Sequence, residues 1–254
     1  MIIRTFSLLL LLWSPLLTAH QAEQESRYSK YIDIILEQTA MQYGTEPLEP
    51  AHEAFIQSII QELGITKKII IRKMSRLGIT LYGRKNACAL FDRYLFVGES
   101  FFKELSEEEK RFLIGHELAH LMRNHALTRS VMLFSLLCIS GIISTALALK
   151  LQSTYRLSRT PSIITGILAF AFFNRIGSIG NMMLSRHQEK EADFISVSHL
   201  QTAQGGITFL TKASAHNPYD YSKWLTRLLV SHPSPEERIQ LLERITKTQL
   251  KESL

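Results

Sequence analysis

"IGHELAHLMRNH", residues 114–125, is the stretch on which the reading of this chain turns. On an α-helix, positions i and i+4 share a face, so His116 and His120 converge on one point with Glu117 between them. A pair of surface histidines beside a solvated glutamate is the plain account of such a turn. The alternative is a zinc site in which Glu117 deprotonates a metal-bound water. Two imidazoles fill half of a zinc shell, so that alternative requires a third ligand elsewhere.

The chain surrounding this stretch has 254 residues, 46% of them hydrophobic, enough to bury a full core and too apolar for a disordered or fibrous protein. Its net charge of +6 comes from basic residues that are scattered or flank apolar runs, which argues against a nucleic-acid partner. Two cysteines, Cys88 and Cys138, exclude a disulfide framework and a cysteine-based zinc site.

Three apolar blocks stand out. "MIIRTFSLLLLLWSPLLTA" has the layout of a secretory signal peptide or a retained N-terminal anchor, assigned to residues 1–22. Residues 130–149 carry no charge and are long enough to cross a hydrocarbon core of about 30 Å as helix. Residues 162–184 are similarly long but include Asn174 and Arg175, the arginine costing about 2.5–3.5 kcal/mol near mid-span and less if it snorkels. Together residues 130–184 read as a transmembrane helical hairpin. A hydrophobic hairpin buried against a partner protein is the competing account.

Outside these blocks, "YSKYIDIILEQTAMQY" and "HEAFIQSIIQEL" show helical spacing, the second ending before Gly64. Short β-type runs follow: "KKIIIRK", "GITLYG", "NACALF" and "YLFVGE", the last two joined by a turn at Asp92-Arg93. Ser106 and Glu109 form a capping box for the helix that carries the histidines, which is expected to run on towards the membrane segment. Beyond the hairpin, "SRHQEKEADFISVSHL" reads as helix, followed by "GGITFLTKASAH", a loop at Asn217-Pro218, a helix near "YSKWLTRLLV" and a closing helix "PEERIQLLERI". The expected fold class is mainly α with a small β-sheet (α+β). Residues 23–129 and 185–254 are the two parts of one domain, which the hairpin interrupts.

The hairpin also indicates the missing ligand. The less apolar "KLQSTYRLSR" centres near residue 155, and His120 and Glu189 lie almost equally far from it along the chain. At about 1.5 Å rise per residue, two continuous helices would set Glu189 opposite the histidine turn. Asp193, one turn later on the same face, can accept the free N–H of a ligand histidine. Glu191 points away. "EKEAD" taken alone is a solvated charged face, and only its placement relative to His116 and His120 singles it out. Two histidines and a glutamate leave one zinc position open for water, the arrangement of catalytic sites.

HELAH at 116–120, SRHQEKEAD at 185–193 and SHPSPEERI at 231–239 stand in the order of HExxH, SRxxExxAD and a late HP with a basic helix. In this the chain resembles the HtpX and CAAX-prenyl-protease group, family forty-eight of the metallopeptidases in the gluzincin clan, from about Asn86 onward. The resemblance implies a gluzincin-type protease domain with one Zn2+ held by His116, His120 and Glu189. It implies Glu117 as general base, Asp193 behind a ligand histidine, and His232 as an oxyanion stabiliser. "NACALF" resembles the strand that holds substrate in extended form. HtpX-like proteins usually carry two spans before HExxH, where this chain has a single leader. His125, His187 and His199 match no motif and are treated as ordinary surface or helix residues.

The expected function is a membrane-associated zinc metalloendopeptidase acting on protein or peptide substrates, in quality control or processing of membrane or unfolded envelope proteins. A non-catalytic metal-containing scaffold or adaptor is the alternative. Arg4 before the leader favours a cytoplasmic N-terminus, and Lys150, Arg156 and Arg159 suit a cytoplasmic hairpin loop. The catalytic domain would then face the periplasm from a bacterial inner membrane. Arg123, Arg129 and Arg186 at the other helix ends weaken that bias and keep the cytoplasmic face as the alternative.

Overall fold

The chain is mainly helical, with one small three-stranded mixed sheet. The computed structural model describes residues 33–82, 87–90, 93–156, 158–215 and 230–252. The leader (1–22), Asp92 of the expected turn, the Asn217-Pro218 loop and most of the helix expected near "YSKWLTRLLV" lie outside the described residues.

Residues 33–43 are helical, as their apolar spacing predicts, and Ala40 is buried. Helix α1, Pro50–Glu62, begins with proline at its first turn, where a missing N–H costs nothing. It buries Ile56, Ile59 and Ile60 and exits through Gly64, whose φ of +65° is the left-handed region that glycine tolerates. Strand β1, Ile70–Lys73, follows.

"GITLYG" is helical rather than extended: α2 covers Arg76–Tyr82. The β-branched pair Ile79-Thr80 favours a strand, but Ser75 decides otherwise. Its hydroxyl accepts the Gly78 N–H at 3.2 Å and its carbonyl accepts the Ile79 N–H at 2.9 Å, nucleating a helical turn.

Strands β2, Ala87–Leu90, and β3, Tyr94–Val97, complete the sheet in the order β1-β3-β2. β3 runs parallel to β1 and antiparallel to β2, with Leu95 facing both Ile71 and Ala89 in register. Every residue of β3 is buried, because both faces of the strand are packed. Leu95 and Val97 join the main core, while Tyr94 and Phe96 pack with Ala40, Met74 and Cys88 on the other face.

After the short helix α3, Glu99–Glu104, comes the central helix α4, Glu107–Met122. The capping box is present: Ser106 N–H donates to Glu109 at 2.9 Å, and Glu109 N–H donates to the Ser106 hydroxyl at 3.3 Å. Leu113, Ile114, Leu118 and Leu121 pack towards α1 and the sheet, and each such burial contributes about 1.5–3 kcal/mol.

α4 does not continue into the hairpin. It stops at Met122 because Asn124 adopts a left-handed conformation, φ 52°. Lys67 Nζ donates to the Leu121 carbonyl and the Asn124 side chain there, a cation on the free carbonyls of a helix end. A new helix, α5, starts at His125 and runs to Tyr155. The chain reverses at Arg156 (φ 49°), close to the expected bend, and returns as α6, Arg159–Leu200, without a break at Gly177 or Gly180.

α5 and α6 lie antiparallel, with Gly166 against Ala148 and Gly177 against Leu136. Both are long and apolar enough to cross a membrane, and outward residues such as Phe134 and Leu168 are about two-thirds exposed (68% and 65%). The last two helices are α7, Ala203–Ser214, and α8, Pro235–Glu252. With α6 they enclose Phe112 of α4 among Val197, Leu210, Leu242 and Ile245. α4 is thus covered by sheet, hairpin base and C-terminal helices at once, which is why nine of its 16 residues are buried, Glu109 and His116 among them.

Candidate metal centre

Gly115 sets how closely α4 and α6 approach. A Cβ there would lie 2.5 Å from Leu200 Cδ1 and 2.6 Å from the Ser196 hydroxyl, so only glycine permits this crossing. The next residue, His116, is buried. Its Nε2 lies 3.2 Å from His120 Nε2, and both rings point these nitrogens at α6. Glu189 of α6 meets them, with Oε2 at 3.4 Å from His116 Nε2 and Oε1 at 3.5 Å from His120 Nε2. The three side chains expected from the spacing are therefore brought together.

Their donor set and spacing fit zinc. A tetrahedral Zn2+ with bonds of about 2.0–2.1 Å requires ligand atoms roughly 3.3–3.4 Å apart, and the three distances here are 3.2, 3.4 and 3.5 Å. Glu49, His52 and Glu99 form a second group at metal-binding spacing, but Lys103 (2.8 Å from Glu49) and Lys73 (3.1 Å from Glu99) already neutralise its carboxylates.

Behind the first ring, His116 Nδ1 is 2.9 Å from Asp193 Oδ1. Asp193 is gripped on both oxygens by Arg238 of α8, Nε to Oδ2 at 2.8 Å and Nη2 to Oδ1 at 2.7 Å. The bond to Asp193 fixes the Nδ1–H tautomer of His116 and turns Nε2 towards the cluster. Arg238 also lies 3.8 Å from Glu189 Oε2.

Burial opposes ionisation throughout, and the partners decide the outcome. For His116, burial and the Arg238 charge act against protonation, but its bonds to Asp193 and Glu189 raise it to about 9. Burial and the His116 charge push His120 down to about 3. Glu189, despite burial, is held well below the usual carboxylate range by His116 and His232. Asp193, equally buried, is lowered by Arg238 and His116. Burial pushes Glu117 up to about 7, helped by the neighbouring Glu189 charge.

Glu117 does not join the three donors. Its Oε2 accepts the Ala89 N–H at 2.8 Å, which ties α4 to the outer edge of β2. Ala87–Leu90, Glu117, His120, Glu189 and His232 line one cavity of about 580 Å³. His232 is more than half exposed, with Nδ1 3.1 Å from Glu189 Oε2.

Two residues at this centre went unassigned in the sequence. Arg238 lies in SHPSPEERI, where the sequence marks only the basic character of the helix. His125, which matches no motif, is buried, with Nδ1 2.8 Å from His120 Nδ1. The break at Asn124 brings its ring against His120, whereas on a continuous helix position 125 would lie about 140° around the axis from position 120. Glu191 lies outside the three-donor cluster, bonded to Arg123 and 3.4 Å from His125 Nε2.

Two proteins named "Protease HtpX homolog" are similar, one from Lactobacillus acidophilus (28% identical over 177 residues) and one from Lactobacillus helveticus (28% over 182). Each match covers 59% of this chain and 59% of the relative, so the chain spans under two-thirds of the relatives' length. The sequence model of "Peptidase family M48" matches residues 50–246, from α1 through the histidine helix and both arms of the hairpin into α8. The chain belongs to peptidase family M48, a family of metallopeptidases.

Proposed function

We propose that this protein is a membrane-associated zinc endopeptidase, with His116, His120 and Glu189 holding one Zn2+. The observation that carries the reading is the near-tetrahedral spacing of three donors beside a cavity that also contains Glu117. Bound zinc supplies Lewis-acid polarisation of a water and of the scissile carbonyl.

The chain's own groups do the rest. Glu117, poised near neutrality, takes the proton of the attacking water and passes it to the leaving amine nitrogen. The Ala89 N–H holds one carboxylate oxygen, leaving the other for the proton. The outer edge of β2 offers backbone groups to an extended peptide, so substrate adds as a strand beside Glu117. His232, exposed and bordering the cavity, donates to the developing oxyanion. Asp193 and Arg238 keep His116 in its ligand tautomer.

In this reading residues 130–184 cross the bilayer, residues 1–22 are the leader, and 23–129 with 185–254 form one protease body. Its substrates are membrane or unfolded envelope proteins, cleaved on the periplasmic side. The exposed apolar faces of α5 and α6 support the membrane assignment.

Metal analysis and casein cleavage test the reading together. The parent should carry about one zinc per chain, lost in Glu189→Gln and in His120→Ala. Glu117→Gln should keep zinc and lose cleavage. Full zinc in both ligand variants would overturn the ligand assignment, and undiminished cleavage by Glu117→Gln would overturn its role as base.

A further inference from the structure

His120 has a second nitrogen to satisfy, and the structure shows where it goes. Its Nε2 faces the donor cluster and its Nδ1 lies 2.8 Å from His125 Nδ1. Two ring nitrogens at this distance require one donor and one acceptor. If Nε2 of His120 is a ligand it carries no proton, so Nδ1 holds the hydrogen and donates it. His125 Nδ1 then accepts, and its own hydrogen resides on Nε2, which faces Glu191 Oε2 at 3.4 Å. The other Glu191 oxygen accepts from Arg123 Nε. Donors and acceptors balance along the whole chain in only this direction.

The arrangement matches the one behind His116 with one imidazole added. There, Nδ1 leads to Asp193 and then Arg238; here, Nδ1 leads to His125, Glu191 and then Arg123. His125 is well suited to the place, because its side chain is only 6% exposed and water has little access to compete. Its carbonyl also faces Gln188 Nε2 of α6 at 3.4 Å.

We propose that His125 is a positioning residue for the metal centre, which fixes the tautomer and ring orientation of His120 through a relay ending in Glu191 and Arg123. The proposal rests on the zinc assignment above. It adds a contributor from outside the three donors and links the second histidine ligand to the first turn of α5.

The test is zinc affinity of the full chain in detergent, read by chelator competition, together with the visible spectrum of the Co2+-loaded protein. His125→Phe keeps a ring but removes the acceptor, and zinc binding should weaken by about 10–100-fold with an altered Co2+ spectrum. His125→Gln supplies an amide oxygen to His120 and an N–H to Glu191, and should recover most of the affinity. Glu191→Leu, which removes the next link, should weaken binding by a smaller factor in the same direction. Should His125→Phe fail to fold by circular dichroism, His125→Gln and Glu191→Leu carry the comparison. Affinity within twofold of the parent in folded His125→Phe or Glu191→Leu, with an unchanged Co2+ spectrum, overturns the proposal while leaving the ligand assignment intact. A parent that binds no stoichiometric zinc overturns both.

Discussion

Loading zinc onto this site should release between one and about one and a half protons per chain at pH 7, most of it from His116. In the metal-free protein its ring titrates at about 9, because bonds to Asp193 and Glu189 outweigh burial and the Arg238 charge. A ligand nitrogen must be unprotonated. At pH 7, about two units lower, nearly all of the rings are charged, and removing that proton costs about 3 kcal/mol at roughly 1.4 kcal/mol per unit. His120, at about 3, is already neutral and adds nothing. Glu117, at about 7, is half protonated, and a nearby dication expels up to roughly half a proton more. Apparent affinity should therefore rise about tenfold per pH unit between roughly pH 7 and 8.5, and more steeply just below pH 7. The raised pKa of His116 stabilises the metal-free fold fully below about 6.5, and that contribution is lost as pH rises through about 9. The lowered values of Glu189 and Asp193 act oppositely, and their contribution is lost as pH falls into the acid range. Titration calorimetry in buffers of different ionisation enthalpy counts the protons, and chelator competition from pH 6 to 8.5 gives the slope. No proton release together with a pH-independent affinity would refute the reasoning.

Two further outcomes follow from the packing and the hairpin. Gly115→Ala forces a methyl into Leu200 and Ser196, so α4 must move off α6; unfolding free energy should drop by about 1–3 kcal/mol, and zinc affinity should fall with it. Denaturant titration and metal analysis of the same preparation check this, and an unchanged midpoint would show that the crossing yields more easily than the distances imply. For topology, alkaline phosphatase fused after Leu254 should be active in a bacterial host, whereas green fluorescent protein exported by the same route should stay dark. The reverse pattern would put the protease body in the cytoplasm.

Much of the centre was legible because its parts obey short-range geometry. His116 and His120 are one helical turn apart, and Glu189 and Asp193 could be found by counting from the bend of a hairpin whose arms stay nearly regular. Arg238 could not be found that way: it is 122 residues from His116, and its approach depends on how α8 packs on α6. His125 was hidden by a local event, the left-handed Asn124, which ends one helix and brings the first ring of the next against His120. The same kind of local chemistry defeated the strand expected at "GITLYG", where the Ser75 cap outweighed β-branched propensity. The sheet was easier to read, since the fully apolar "YLFV" suits a strand flanked on both sides.

α6 is one uninterrupted rod of 42 residues that carries both a candidate membrane span and Glu189. From Gly177 to Glu189 is about 18 Å of helix at 1.5 Å per residue. If the rod pivoted near Gly177, a tilt of about 5° would carry Glu189 sideways by roughly 1.5 Å, close to half the spacing between the donors. The bonds at its base to His125, Phe112 and Arg238 resist that motion and shift the fulcrum towards the metal centre. If the hairpin spans a bilayer, as proposed, the bilayer would be a load on a lever whose short arm holds Glu189, and hydrocarbon thickness would become a mechanical input to the geometry of the site.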